Sequence, residues 1–333
     1  MPSIDQLHIF LSPLIIPAAL SAIIFTLIWR KKFSKSLDGK ELTFEPLDIW
    51  ALTICYSISH QSIEGINGFP PNDSFDWLPF GLLALASLFT LGKFLNTHSA
   101  HAVNIIAALI SIIIIGLSLH GFKIYHEKFS LFYRINVFCA LSLTMISSMV
   151  SLHTIATKLK LIDFFVFHIA LGTIASGTIF VGFNSASIAQ LLGITIIISS
   201  IGLITGLINK QKKISPGYAI ATALIWTHLS CYSYFGNFVL PPTHSLCLLL
   251  SAPSLAWIGL LIFKEPNNLL FRRLSILIPS ILAALLAFSL VTLKTKMQTH
   301  MNIGNNNSFR SKILKAGFMP IGIGIHAICC AVT

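Results

Sequence analysis

Long apolar stretches follow one another along the chain, each closed by a short polar or charged loop. A helix that crosses a bilayer needs about 20 apolar residues at a rise of about 1.5 Å each. Ten stretches meet that requirement, over residues 8–29, 47–65, 77–95, 101–121, 135–156, 161–183, 187–208, 217–237, 244–263 and 274–293. The fourth, seventh and tenth are the cleanest, with runs such as Ile112 to Ile115 and no charge inside. The second is the most broken, interrupted by Ser57, Ser59, His60, Gln61 and Ser62. All ten are predicted to be helices, because lipid offers no partner for an open strand edge. The continuous apolar runs also lack the alternation of a barrel strand. The expected fold is therefore all-α, a polytopic integral membrane protein of ten transmembrane helices.

These helices form one predicted transmembrane domain, residues 1–296, and the chain changes character afterwards. Residues 297–333 contain the polar tract Asn305, Asn306 and Asn307, then Arg310, Lys312 and Lys315, then an apolar, glycine-rich stretch from Gly317 to Thr333. Glycine and Pro320 weaken that stretch as a helix and its length is marginal for a span. The expectation is a surface-lying or disordered tail, with an eleventh span as the alternative.

Composition supports the bilayer reading and limits other classes. Of 333 residues, 55% are hydrophobic and 10% charged, more apolar surface than a soluble chain of this size can hide from water. The net charge of +11 comes from lysines and arginines in short loops, where membrane topology favours them, so no nucleic-acid partner is expected. No basic residue precedes the first stretch, whereas Arg30, Lys31, Lys32 and Lys35 follow it. This arrangement predicts a signal anchor with the N-terminus outside the cell membrane. On that orientation the cytoplasmic loops carry Lys93, Lys158, Lys160, Lys210, Lys212, Lys213, Lys264, Arg272 and Arg273, and the outer second, sixth and eighth loops carry none. The outer fourth loop departs from the rule with Lys123, Lys128 and Arg134.

An internal echo links the second and eighth stretches. Ile49, Trp50, Cys55, Tyr56 and Ser57 recur with the same spacing as Ile225, Trp226, Cys231, Tyr232 and Ser233. Each string leads to an outer loop with a proline pair, Pro70-Pro71 and Pro241-Pro242. Segments one to three therefore resemble segments seven to nine, as in a parallel transporter repeat. Chance similarity between two helices of restricted alphabet is the competing account, and Trp50 lies nearer its predicted span end than Trp226.

Ionisable groups at membrane depth are costly and become candidates for function. His60 and Glu64 share a helical face at a spacing of four, and Asp73 and Asp76 follow, with no lysine or arginine between Trp50 and Lys93. A negative, histidine-containing outer mouth could attract a cation or an amine, or relay protons. The blander account is a solvated loop in which Ser74 or Asp76 caps the third helix. The eighth stretch supplies a mid-bilayer polar run, Thr227, His228, Ser230, Tyr232 and Ser233. His60, Glu64, His228, Ser230 and Tyr232 are therefore the candidate substrate-pathway residues. His153 and His168 fall in one leaflet of consecutive antiparallel helices, the arrangement that bis-histidine haem ligation needs, although hydrogen-bonded packing accounts for them too.

Other chemistry is sparse. There is no HExxH, GxSxG or P-loop pattern, and the six cysteines include no CxxC pair. No cofactor, metal or catalytic residue is expected. Ser176 beside Gly177, and Gly202 with Gly206, have the small-residue spacing of helix packing. Pro253 and Pro279 should kink their helices, with Ser254 and Ser280 at hand for the freed backbone groups. The leading functional reading is a small-solute transporter or permease. Its rivals are a haem-binding redox subunit and a membrane enzyme or assembly factor acting on lipid-soluble substrates.

The orientation yields an expected outcome. Ser36→Cys and Gln211→Cys, on a background without native cysteines, should resist an impermeant thiol reagent applied outside intact cells. Labelling at either position would reverse the topology.

Overall fold

A computed structural model describes residues 4–29, 47–65, 70–71, 73–94, 100–127, 129–183, 185–208, 214–236, 243–262 and 269–303. These residues form helices α1 (Ile4–Trp29), α2 (Leu47–Ile63), α3 (Trp77–Phe94), α4 (Ala100–His120), α5 (Lys123–Glu127), α6 (Leu131–Lys158), α7 (Leu161–Gly182), α8 (Ala186–Ile208), α9 (Pro216–Phe235), α10 (Thr243–Ile262) and α11 (Leu269–Ile303). No strand occurs among them. Each predicted stretch falls on one helix; α5 is a short addition in the loop between the fourth and fifth stretches. The last helix runs past the expected boundary at residue 296 to Ile303. The stretch from Gly317 to Thr333 lies outside the described residues, as do the basic segments 30–46 and 209–213.

By length and composition, six helices among the described residues are long and apolar enough to cross a membrane, within α3, α4, α6, α7, α8 and α11. The described residues thus hold ten long helices, of which six pass this test, so the expected ten spans are supported in part. Of the other four, α1 and α10 are apolar over the shorter stretches Ile15–Ile28 and Thr243–Ala256, and α2 and α9 fall short for a physical reason. Helix α2 has 17 residues including Asp48 and His60, and α9 carries the polar run from Thr227 to Ser233. Both depend on protein neighbours for what hydrocarbon cannot supply.

Helix α9 has that protection. It packs against α2, α3, α4, α6, α8 and α10, and every residue from Gly217 to Phe235 except Tyr232 is buried. The outer helices instead expose apolar side chains, such as Ile105, Leu109 and Ile113 on α4 and Leu282 and Leu286 on α11, a surface suited to lipid. Close approach relies on small residues, because lipid tails remove the hydrophobic drive for helix association. A Cβ at Gly202 would meet the rings of Phe165 and Phe25, and one at Gly182 would overlap Val291. Ser176 donates to the Ala189 carbonyl at 2.9 Å, tying α7 to α8. This hydrogen bond accounts for Ser176 as a packing residue.

The start of α9 is fastened to the start of α2. Ser215 caps α9, accepting from the Tyr218 N–H at 3.1 Å, and Pro216 follows at the first helical position. The buried Asp48 carboxylate accepts from the Ser215 N–H at 2.7 Å and from its hydroxyl. One carboxylate thus joins two helix starts, each end offering unpaired N–H groups and a positive dipole end.

Pro253 corrects a sequence expectation. Proline has no N–H, so the carbonyl four residues earlier, Leu249, loses its helical donor. The Trp226 indole of α9 supplies the replacement at 3.0 Å. Ser254 faces Ser148 instead, at 3.3 Å, and Ser151 donates to the Pro253 carbonyl at 2.6 Å. The Ser280 hydroxyl near Pro279 is buried without a partner among the described residues. The corresponding tryptophan of the echo, Trp50, donates to Thr90 of α3 at 2.9 Å. Both indoles therefore bond to the next helix, but Trp50 sits near the start of α2 and Trp226 midway along α9. This difference in register leaves the internal repeat without structural support.

Trp226→Phe should leave the Leu249 carbonyl unsatisfied and lower stability by about 1–3 kcal/mol, measured by denaturation in detergent. Adding Pro253→Ala, which restores a helical N–H, should recover part of the loss. An unchanged midpoint for Trp226→Phe would remove the indole from this role.

Candidate functional site

A spacing of four places Asp48, Leu52, Tyr56 and His60 on one stripe of α2, and all four are buried. At the far end of the stripe from Asp48, the loop before α3 folds back over the helix ends. Its turn is set by Asp73, whose carboxylate accepts from the Phe75 N–H at 2.9 Å, and by contact with the end of α4. A Cβ at Gly121 would overlap the Ser74 hydroxyl, so a larger residue here would displace Ser74. The loop inserts Phe75 and Asp76 into the interior.

Asp76 meets His60 there. The carboxylate lies 3.0 Å from His60 Nε2, with the two side chains 4% and 0% exposed. The carboxylate is thus engaged with α2, which the capping account of this loop did not foresee. Phe75 stands among three rings, with centroids 4.6 Å from His60, 4.3 Å from Tyr232 and 6.1 Å from His228, the last nearly parallel at 17°. Phe122, just after α4, closes on Tyr232 at 5.1 Å.

The hydrogen bonds of Ser118 bear on the form of His228. Ser118 of α4 gives its only hydroxyl proton to the Ile114 carbonyl at 2.7 Å. Its oxygen lies 3.1 Å from His228 Nδ1; with the proton on the carbonyl it accepts there, and Nδ1 carries hydrogen. In the neutral ring Nε2 is then a bare acceptor, and it is buried without a partner. A neutral His60 that donates from Nε2 to Asp76 likewise leaves Nδ1 as an acceptor, also buried and unpartnered. The Tyr56 and Thr227 hydroxyls share that condition among the described residues.

The remaining candidates fall on both sides of this cluster. Ser230 is buried, its carbonyl accepting from Ser233 at 2.8 Å. Tyr232 is part of the ring cluster, and its hydroxyl reaches Asp73 at 3.5 Å. Glu64 is exposed, one residue beyond α2, and its N–H bonds to the His60 carbonyl at 2.9 Å. The expected His60–Glu64 contact gives way to His60–Asp76, because the helix ends and the loop brings the second carboxylate inward. Phe75 and Ser118 were not legible as site residues. Asp48 and Tyr56 had a signal in the four-residue spacing.

The two haem candidates have different surroundings. His168 is buried, its Nδ1 2.9 Å from Ser199 of α8, whose hydroxyl lies 3.1 Å from the Tyr218 hydroxyl. His153 is half-buried on α6. No contact joins the two rings among the described residues, and no group of three or more histidine, cysteine or acidic side chains suited to a metal occurs there.

The segment from the end of α4 to the start of α6 has its own network. Arg134 donates to His126 Nδ1 at 2.6 Å, and His126 Nε2 lies 2.8 Å from the His120 carbonyl. Tyr125 donates to the Arg134 carbonyl. Burial raises its phenol above the usual value, against the opposing charge of Arg134, so it remains a donor. No protein-family model, curated protein or solved structure matches the chain.

The His60–Asp76 contact should register in a double-mutant cycle. Asp76→Ala should cost about 2–4 kcal/mol, a buried charged partner being removed. His60→Gln should add little on top of it. Additive losses would show the two groups to be independent. Glu64→Gln should stay within about 0.5 kcal/mol, as expected for an exposed side chain.

Proposed function

We propose that this protein is a small-solute transporter or permease, with ten helices crossing the bilayer and the N-terminus outside. The seam between α2 and α9 is the solute pathway, entered from the outer end where His60, Asp76, Tyr232 and His228 gather. The observation that carries this reading is the core position of α9. A helix walled in by six others needs no polar interior for solubility, yet it keeps Thr227, His228 and Ser230 buried at mid-helix. Polar groups retained at such depth are expensive and are used for passage or binding.

The features around the seam support the same reading. Polar clusters stand at both ends of α2, Asp48 with Ser215 and His60 with Asp76. Proline interrupts α10 beside α9. Haem ligation by His153 and His168 has less support, because Ser199 engages the His168 ring.

Proteoliposomes loaded with a panel of small amines, amino acids, sugars and carboxylates should show protein-dependent flux of at least one class. His228→Phe should abolish that flux with folding, judged by gel filtration, intact. The absence of flux for every class, in either membrane orientation, would overturn the transport reading.

A further inference from the structure

The His60–Asp76 end of the seam has two unpartnered nitrogens. With the Ser118 proton on the Ile114 carbonyl and His60 neutral, His228 Nε2 and His60 Nδ1 are both bare acceptors. The two side chains are 2% and 0% exposed, and both rings flank Phe75. A buried acceptor without a donor costs about 1–3 kcal/mol, so two together call for a ligand that brings N–H or O–H groups. The surroundings select the charge of that ligand. Asp76 is a carboxylate in contact with His60, Asp73 borders Tyr232, and the rings of Phe75, Tyr232 and Phe122 present faces that attract cations.

Resting on the transport reading above, we infer that the pathway takes a small N–H-bearing cation, ammonium or a primary amine. The two imidazole lone pairs accept its hydrogens, and Asp76 with the aromatic faces balances its charge. Carboxylates and other anions are excluded, since both imidazoles would meet them lone pair to lone pair. Ser118 is a positioning residue, because its hydroxyl holds hydrogen on Nδ1 of His228 and keeps Nε2 bare.

The test is calorimetric titration of the full-length protein in nanodiscs with methylammonium, tetramethylammonium and acetate. Methylammonium should bind, and tetramethylammonium, equal in charge but without N–H groups, at least about tenfold more weakly, the loss expected for one charge-assisted hydrogen bond. Acetate should not bind. His228→Phe should weaken methylammonium by about tenfold or more by the same argument. Ser118→Ala, a mild change at a buried hydroxyl, should weaken it too and move the His228 ring ¹⁵N shifts toward the Nε2–H form. Equal binding of the two cations would leave only the aromatic faces, and no methylammonium binding would mean that water satisfies the nitrogens; either overturns the inference. If methylammonium fails while proteoliposomes pass another solute, the amine assignment falls alone. If methylammonium binds but nothing is transported, the site remains and the transport reading falls.

Discussion

A polar group surrounded by apolar side chains must find its hydrogen-bond partner within the chain, and most of what is distinctive here follows from that demand. The Leu249 carbonyl, released by Pro253, is taken by the Trp226 indole. The first N–H groups of α9 are met by Ser215 and by an aspartate from another helix. Serines and threonines along the helices return their protons to carbonyls one turn back, as Ser59, Ser111 and Thr222 do. Where the demand is not met among the described residues, Tyr56, Ser57, His60, Thr227 and His228 lie on α2 and α9, and Arg134, Ser142, Ser245 and Ser280 on other helices.

That concentration gives α9 a double character. It is the most enclosed helix, and its packing rests on close contacts such as Gly217 against Phe89. It is also among the least apolar of the long helices. Stability alone would favour leucine and alanine at such positions, since removing both partners of a buried polar pair is often neutral or stabilising. Retaining histidine there, with its tautomer held by a serine from α4, fits a helix kept polar for a ligand. The clasp at the other end, Asp48 on Ser215, fixes α2 and α9 against each other so that the far ends keep their register.

The helices were legible because hydrocarbon imposes one rule on every span: length in apolar residues and backbone bonds closed within the segment. Bounds such as 161–183 and 187–208 lie within a residue or so of α7 and α8 for that reason. The same rule could not say which of the ten helices meet a strict apolarity test, since a helix buried in protein escapes it, as α2 and α9 do. His60 and His228 could be picked out as polar groups at depth. Their partners could not, because Asp76 reaches His60 only through a loop that turns on Asp73 and lies against Gly121, and Ser118 is one of many serines until α4 is set beside α9.

Sequence alone thus determined the number and limits of the long helices, the polar character of α2 and α9, and the excess of positive charge in the loops. These are properties of single segments facing a uniform solvent. The tertiary structure decided that α9 is central, that Asp76 and not Glu64 joins His60, that Trp226 and not Ser254 serves the broken turn of α10, and that His168 turns to Ser199. Each is a choice among partners distant in the chain. Such choices depend on which helix faces meet, and in lipid these faces are matched by shape and hydrogen bonding, with little hydrophobic force to leave a trace in the apolar pattern.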